Sequence, residues 1–161
     1  MIALRPADRN PPPHVTGVAR FERLFRRAGG VDIDKSDLKR YEEFVHRKLH
    51  HLLVRAEDVA KWNGRDIIEP FDLPITWGLQ ESIKTFRELD EDIELQPILE
   101  RLAGLPALEL SYSERTRAEL PEIVGGLSVA LARAFKILEP ELKNPQSVHW
   151  ERAYRIFDLL L

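Results

Sequence analysis

The chain has no cysteine. Disulfides, thiol catalysis and cysteine-ligated zinc are therefore excluded from it. It also lacks a long apolar run, so neither a secretory leader nor a membrane span is expected, and the cytoplasm is the expected setting. Methionine occurs once, and asparagine and glutamine are few beside 32% charged residues, a balance that leans toward a heat-tolerant source. A positive excess is missing as well. The formal net charge is −3, whereas sequence-independent phosphate neutralisation calls for a strongly basic surface. The basic residues that exist sit early: residues 1–88 carry 16 Lys/Arg against 14 Asp/Glu, and residues 89–161 carry 8 against 13. Any nucleic-acid surface must then be local. There is no Gly-rich phosphate loop, nucleophile elbow or strand-rich scaffold. The expectation is a protein without catalytic residues, cofactor or small-molecule substrate.

What is present is helical periodicity. At 161 residues a chain of this size buries roughly 68–70% of its unfolded surface and needs no metal or disulfide to hold a core. In Lys35–Asn63 apolar residues recur at Leu38, Tyr41, Val45, Leu49, Leu52, Ala56, Val59 and Ala60. Steps of three and four place them on one face of an α-helix. No Gly or Pro interrupts the run, and Gly64 follows as a stop signal. Such a rod is roughly 42 Å long, and its stripe must be covered by other segments.

Around it the chain reads as short helices and loops. Met1–His14, with Pro6 and Pro11–Pro13, is an extended leader. Thr16 is placed to cap a helix over Val18–Ala28, ended by Gly29-Gly30. A third helix is expected from Phe71 or Asp72 to Leu89, burying Leu73, Trp77, Ile83 and Phe86. Asp90–Glu94 reads as an acidic connector, and Ile93–Leu102 as a short helix. Leu108–Leu110 is expected to be extended, and a long helix covers Glu114–Leu138. Pro121 should kink this helix or mark its start. Gly125-Gly126 lowers its helix propensity, which anticipates the close approach of a crossing helix. Val148–Leu161 forms the last helix.

Short–long–short, twice over, resembles the histone fold. The most specific match is the loop Arg65-Asp66-Ile67-Ile68-Glu69-Pro70-Phe71-Asp72. Archaeal histones and CCAAT-binding transcription-factor subunits carry there an Arg, β-branched residues, and an Asp seven positions after the Arg. The whole chain is similar to an uncharacterised prokaryotic family with two histone-like folds fused in one polypeptide. That resemblance implies an all-α, tandem histone-fold protein forming an intramolecular pseudo-dimer. Its parts would be a leader over 1–14, a first half over 15–89, and a degenerate second half over 90–161. It also implies that Arg65 and Asp72 form a structural pair. No such pair recurs in the second half, where seven residues on from Lys143 stands Trp150.

The same resemblance places candidate DNA contacts at Arg20, Arg23, Lys35, Lys39 and Arg65, through phosphate recognition. Asp32, Asp34, Asp37, Asp66 and Glu69 lie beside them, with Glu109, Glu139 and Glu141 near the second-half loops, and repel phosphate. His46 and His50 stand four apart, with Glu43 and His51 nearby. That is a chelating spacing without an HExxH pattern, so the expectation is surface histidines and no metal. Trp62, Trp77 and Trp150 are expected as core or rim fillers. The favoured function is a non-enzymatic interaction or scaffold module, working through a protein partner or self-association. The alternative is a chromatin-type DNA-binding protein.

Overall fold

A computed structural model describes residues 13–95, 99, 108 and 110–161. Most of the leader, most of the expected helix Ile93–Leu102, and Glu109 lie outside the described residues. Among the described residues the chain is all-α apart from two two-residue strands.

Helix α1 spans Pro13–Gly29, five residues earlier than the expected start. Thr16 therefore lies inside it and not at its N-cap position. A proline at the first helical position lacks only an N–H that would have no partner there, and its φ is already helical. Asp34 then opens a 3₁₀ turn at Lys35–Asp37, its carboxylate accepting from Ser36 N at 2.8 Å. The Asp37 carboxylate accepts in return from Asp34 N at 3.1 Å. The long rod α2 follows over Leu38–Trp62. Tyr41, Val45, Leu49, Leu53 and Ala56 are fully buried along it. Gly64, at φ 71°, takes the chain out of the helix.

Strand β1 is Ile67–Ile68, and Pro70–Asp72 is another 3₁₀ turn. Helix α3 runs from Trp77 to Ile93, not from Phe71 or Asp72. Pro74 holds Leu73 extended, at ψ 129°. Thr76 is the true cap, its hydroxyl accepting from Leu79 N at 3.2 Å. The acidic connector is mostly the last turn of α3, closed when the Asp90 carboxylate accepts from Leu95 N at 2.6 Å.

Strand β2, Ser111–Tyr112, pairs in parallel with β1, Ile67 opposite Ser111 and Ile68 opposite Tyr112. The extended segment thus comes after Leu108–Leu110, pinned where Thr116 Oγ1 and Ser113 N both donate to the Ile68 carbonyl. Helix α4 spans Glu114–Leu138, capped by Ser113, and continues through a buried Pro121 that neither starts nor ends it. Helix α5 is Ser147–Leu160. The loop before it joins the loop after α1 through Asp32 N, which donates to the Lys143 carbonyl at 2.6 Å.

Helix α4 lies against α1, α2, α3 and α5, and among the described residues one hydrophobic core draws on all five of these helices. The expected close approach is at Gly125-Gly126, where α3 crosses. A Cβ on Gly125 would lie 2.4 Å from the Phe86 ring, and one on Gly126 would lie 2.4 Å from Ile83 Cγ1. Phe86 is almost fully buried and has nowhere to retreat. Gly125→Ala should therefore destabilise the fold by about 1–3 kcal/mol through overpacking, outweighing a helix-propensity gain of about 1 kcal/mol. Urea unfolding of the two proteins checks this, and an unchanged or higher midpoint would refute it.

Candidate functional site

The turn between α2 and α3 is built around Arg65 and Asp72. Arg65 Nη1 and Nη2 donate to the two Asp72 carboxylate oxygens at 2.7 and 2.5 Å. Asp72 also accepts from Glu69 N at 2.8 Å and is buried, while the guanidinium is partly exposed. The guanidinium lies over the Phe71 ring, 5.0 Å from its centroid, a cation–π contact. The Arg65 bond holds the Asp72 carboxyl below the usual carboxylate range against the opposing effect of burial. A guanidinium engaged at both nitrogens has little left for a phosphate.

The loop between α4 and α5 carries a different pair. His149 Nδ1 accepts from Gln146 N at 2.8 Å, and His149 Nε2 meets Glu139 Oε2 at 2.5 Å. Like Asp72, His149 is the third residue of its helical turn and closes a capping box. Counting seven from Lys143 misses it, since the spacing is ten and the acid comes first. Gln146-x-x-His149 has neither the Ser/Thr nor the Glu/Gln of the usual capping-box signature, so the sequence carried no signal for it.

The other candidate cations are scattered. Arg20 Nη1 donates to the Glu94 carbonyl at 2.9 Å. Arg23, Lys35 and Lys39 are exposed. Lys35 and Lys39 flank the start of α2, whereas Arg65 follows its far end, with a helix of 25 residues, about 37 Å long, between them. Acids beside them are partly committed: Asp32 pairs with Arg26 at 2.9 Å, and Asp34 caps its turn. Glu43, His46 and His51 are exposed and His50 is half-buried. Among the described residues no group of three or more His, Cys, Asp or Glu gathers to hold a metal ion. Burial first, then the charges of Lys48 and Arg47, push the His51 imidazole below its usual range.

The surface feature that sequence reading missed is apolar. Trp62 is 73% and Trp77 75% exposed, so neither fills the core; Trp150 does, at 1%. Trp77 faces out because the true start of α3 turns Leu79, Ser82, Ile83 and Phe86 inward. Between the start of α3 and the ends of α4 and α5 lies a cleft of about 620 Å³, lined mainly by apolar groups, with Ile137 and Leu160 on its walls. Ile137 is 80% and Leu160 72% exposed. The cleft continues past Thr76 and Leu161 into a second of about 620 Å³ beside His50, His51 and Arg55. No helix among the described residues is long and apolar enough to cross a membrane.

Similarity to known proteins extends over most of the chain. The family model described as "Domain of unknown function (DUF1931)" matches residues 21–158. An uncharacterized protein of Aquifex aeolicus (strain VF5) is 32% identical over 127 residues, covering 79% of this chain and 74% of its own. A crystal structure from Thermus thermophilus superposes with a TM-score of 0.80 at 56% identity, covering 89% of this chain and 97% of that one. A 1.9 Å crystal structure from Aquifex aeolicus gives 0.81 at 28% identity, covering 94% and 100%.

Asp72 and Asp158 both have carboxyls held below the usual range, the first by Arg65 and the second by Lys48. A carboxyl lowered by folding contributes stability that is complete above its unfolded value, about pH 4, and is lost as pH falls through the folded value. Asp72→Asn should therefore melt lower at neutral pH and lose less on acidification below about pH 4. Thermal melts across pH check it, and parallel acid profiles for the two proteins would refute the assignment.

Proposed function

The chain belongs to the DUF1931 family, and on that premise we propose that it is a non-enzymatic interaction module made of two histone-like halves clasped within one polypeptide. Two central helices of 25 residues each support the clasp. So do two loop pairs, β1 with β2 at one and Asp32 with Lys143 at the other. Each half also closes its last helix or turn with a capping-box residue held by an opposite partner, Asp72 by Arg65 and His149 by Glu139.

One observation carries the functional part. The cations that a phosphate surface would need are dispersed or engaged, while large apolar side chains stand in water around one cleft. Ile137 and Leu160, on its walls, are each more than two-thirds exposed, and the exposed Trp77 stands on α3 between the wall residues Thr76 and Gly78. Clustered exposed apolar groups beside a groove are the mark of a protein-binding surface. The module works by holding another protein surface against that cleft, a partner or another copy of itself, and it requires no cofactor.

A second reading has its own support. Arg23, Lys35 and Lys39 are exposed and lie toward the α1 end of α2, which suits sequence-independent DNA binding. Asp32, Asp34 and Glu141 share that end and oppose it. The two readings part in a DNA titration of the purified protein at about 50 and 200 mM salt. The interaction module should show no DNA retention at either salt. Binding at low salt that collapses at high salt, and that Arg23→Glu/Lys35→Glu/Lys39→Glu abolishes, would overturn it in favour of the DNA reading.

A further inference from the structure

His149 is a buried titratable side chain that the interaction-module reading leaves unused. It is 8% exposed and stands third in α5, where the loop after α4 turns into that helix. Both ring nitrogens are engaged. Gln146 N donates to Nδ1 at 2.8 Å, and Nε2 meets Glu139 Oε2 at 2.5 Å. A backbone N–H can only donate, so Nδ1 must be the bare nitrogen. Nε2 then carries the hydrogen and donates it to the Glu139 carboxylate. The two contacts together fix a neutral ring in one tautomer.

That arrangement does not accommodate a second proton. A proton from solvent would bind the Nδ1 lone pair, the same pair that accepts from Gln146. The imidazolium has two N–H donors and no acceptor, so Nδ1–H would then face Gln146 N–H. The charge would also sit in the first turn of α5, against the positive end of its helix dipole. Glu139 pulls the other way, since the charged ring gives it a full ion pair. Among the described residues it is the one charged side chain paired with the ring. Other charged groups on the elements that meet here are engaged or solvated. Lys136 donates to the Leu142 carbonyl at 2.5 Å, Arg40 reaches Ser147 and Asp37, and Asp32 pairs with Arg26. Glu141, Lys143, Glu151 and Arg152 are exposed. A charged ring therefore has reason to keep Glu139 and to leave Gln146.

We propose that His149 is a proton-operated clasp on the entry to α5. Neutral, it ties Gln146 to the helix. Charged, it stays with Glu139 and lets the Gln146 N–H go. What loosens is the loop over residues 139–146, which is then tied by Lys136 at Leu142 and by Asp32 N at the Lys143 carbonyl. Acidification reshapes the end of the molecule where this loop meets the loop after α1. The β1–β2 end does not respond in the same range. Its capping box is closed by Asp72, a carboxylate that Arg65 keeps charged.

Nitrogen-15 NMR of the full chain between about pH 8 and about pH 5, the range in which histidines change charge, tests this. At the alkaline end the ring shifts should place the hydrogen on Nε2. A through-hydrogen-bond coupling should join Gln146 N to His149 Nδ1. As the ring titrates, that coupling should vanish. Exchange of the Gln146 N–H, relative to an unstructured chain at the same pH, should rise by about tenfold. The Glu69 N–H, which is bonded to Asp72, should keep its protection throughout. His149→Gln cannot titrate and should lose the response, with circular dichroism showing that the fold is kept. If that variant does not fold, the wild-type readings decide. A hydrogen on Nδ1 at the alkaline end would overturn the proposal, as would a ring still neutral at the acid end. So would Gln146 exchange that ignores the ring's titration, or a release that persists in His149→Gln.

Discussion

Helix α4 is apolar on nearly every face, and the rest of the fold follows from enclosing it. Leu120, Ile123, Val124, Leu127, Val129, Leu131, Ala132 and Phe135 are all buried. Over Leu120–Ala132 such a helix has almost no side on which to meet water, so α1, α2, α3 and α5 close around it. Its polar groups are each given a partner inside the enclosure. Ser128 shares a 2.6 Å hydrogen bond with Tyr41 of α2 and donates to the Val124 carbonyl at 2.7 Å. Thr116 donates to the Ile68 carbonyl at 2.9 Å. Satisfied in this way, buried hydroxyls cost little and fix which turn of α4 faces which turn of its neighbours.

The periphery is then set by where charge is tolerated near this core. Lys48 is almost wholly buried on α2, yet its ammonium reaches Asp158 of α5 at 2.5 Å, and Arg47 reaches the same carboxylate at 2.8 Å. The aromatic side chains Phe44, Tyr154 and Phe157 pack together beside it, Phe44 stacked on Tyr154 and edge-on to Phe157. The long aliphatic stem of the lysine belongs to the core while its head leaves it. By contrast, Trp77 and Ile137 are large apolar groups left outside.

The long helices were legible because their signals are dense. In α2 an uninterrupted stripe of steps of three and four, followed by Gly64, left few alternatives. Gly125-Gly126 announced a crossing helix because nothing else rewards two glycines in a run of aliphatics. Arg65 and Asp72 were legible through a spacing. The start of α3 was not, because Pro70 and Pro74 are both acceptable first-turn residues and only the packing of Leu79 and Phe86 decides between them. The exposure of Trp77 follows from that same choice, a shift of about five residues that turns its side chain away from the core. The Glu139 and His149 pair was hidden because it replaces the expected cation-then-acid order with acid-then-imidazole at a longer spacing. Clefts formed between three helix ends have no local signature at all.

The contacts that seat α5 join residues far apart in the chain. Tyr154 donates to the Arg40 carbonyl, and Asp158 holds Lys48 from 110 positions away. Arg40 reaches Ser147 across 107. The helices that form the groove receiving α5 precede it in the chain. While the chain is being translated, the faces of α2 and α4 that α5 covers stay open until α5 has followed, since a helix of 14 residues cannot seat before it is made. Phe44 and Phe135, whose rings meet Phe157 and Trp150 of that helix, are in water for that interval. Until α5 follows α4, those rings are the exposed apolar surface of the growing chain.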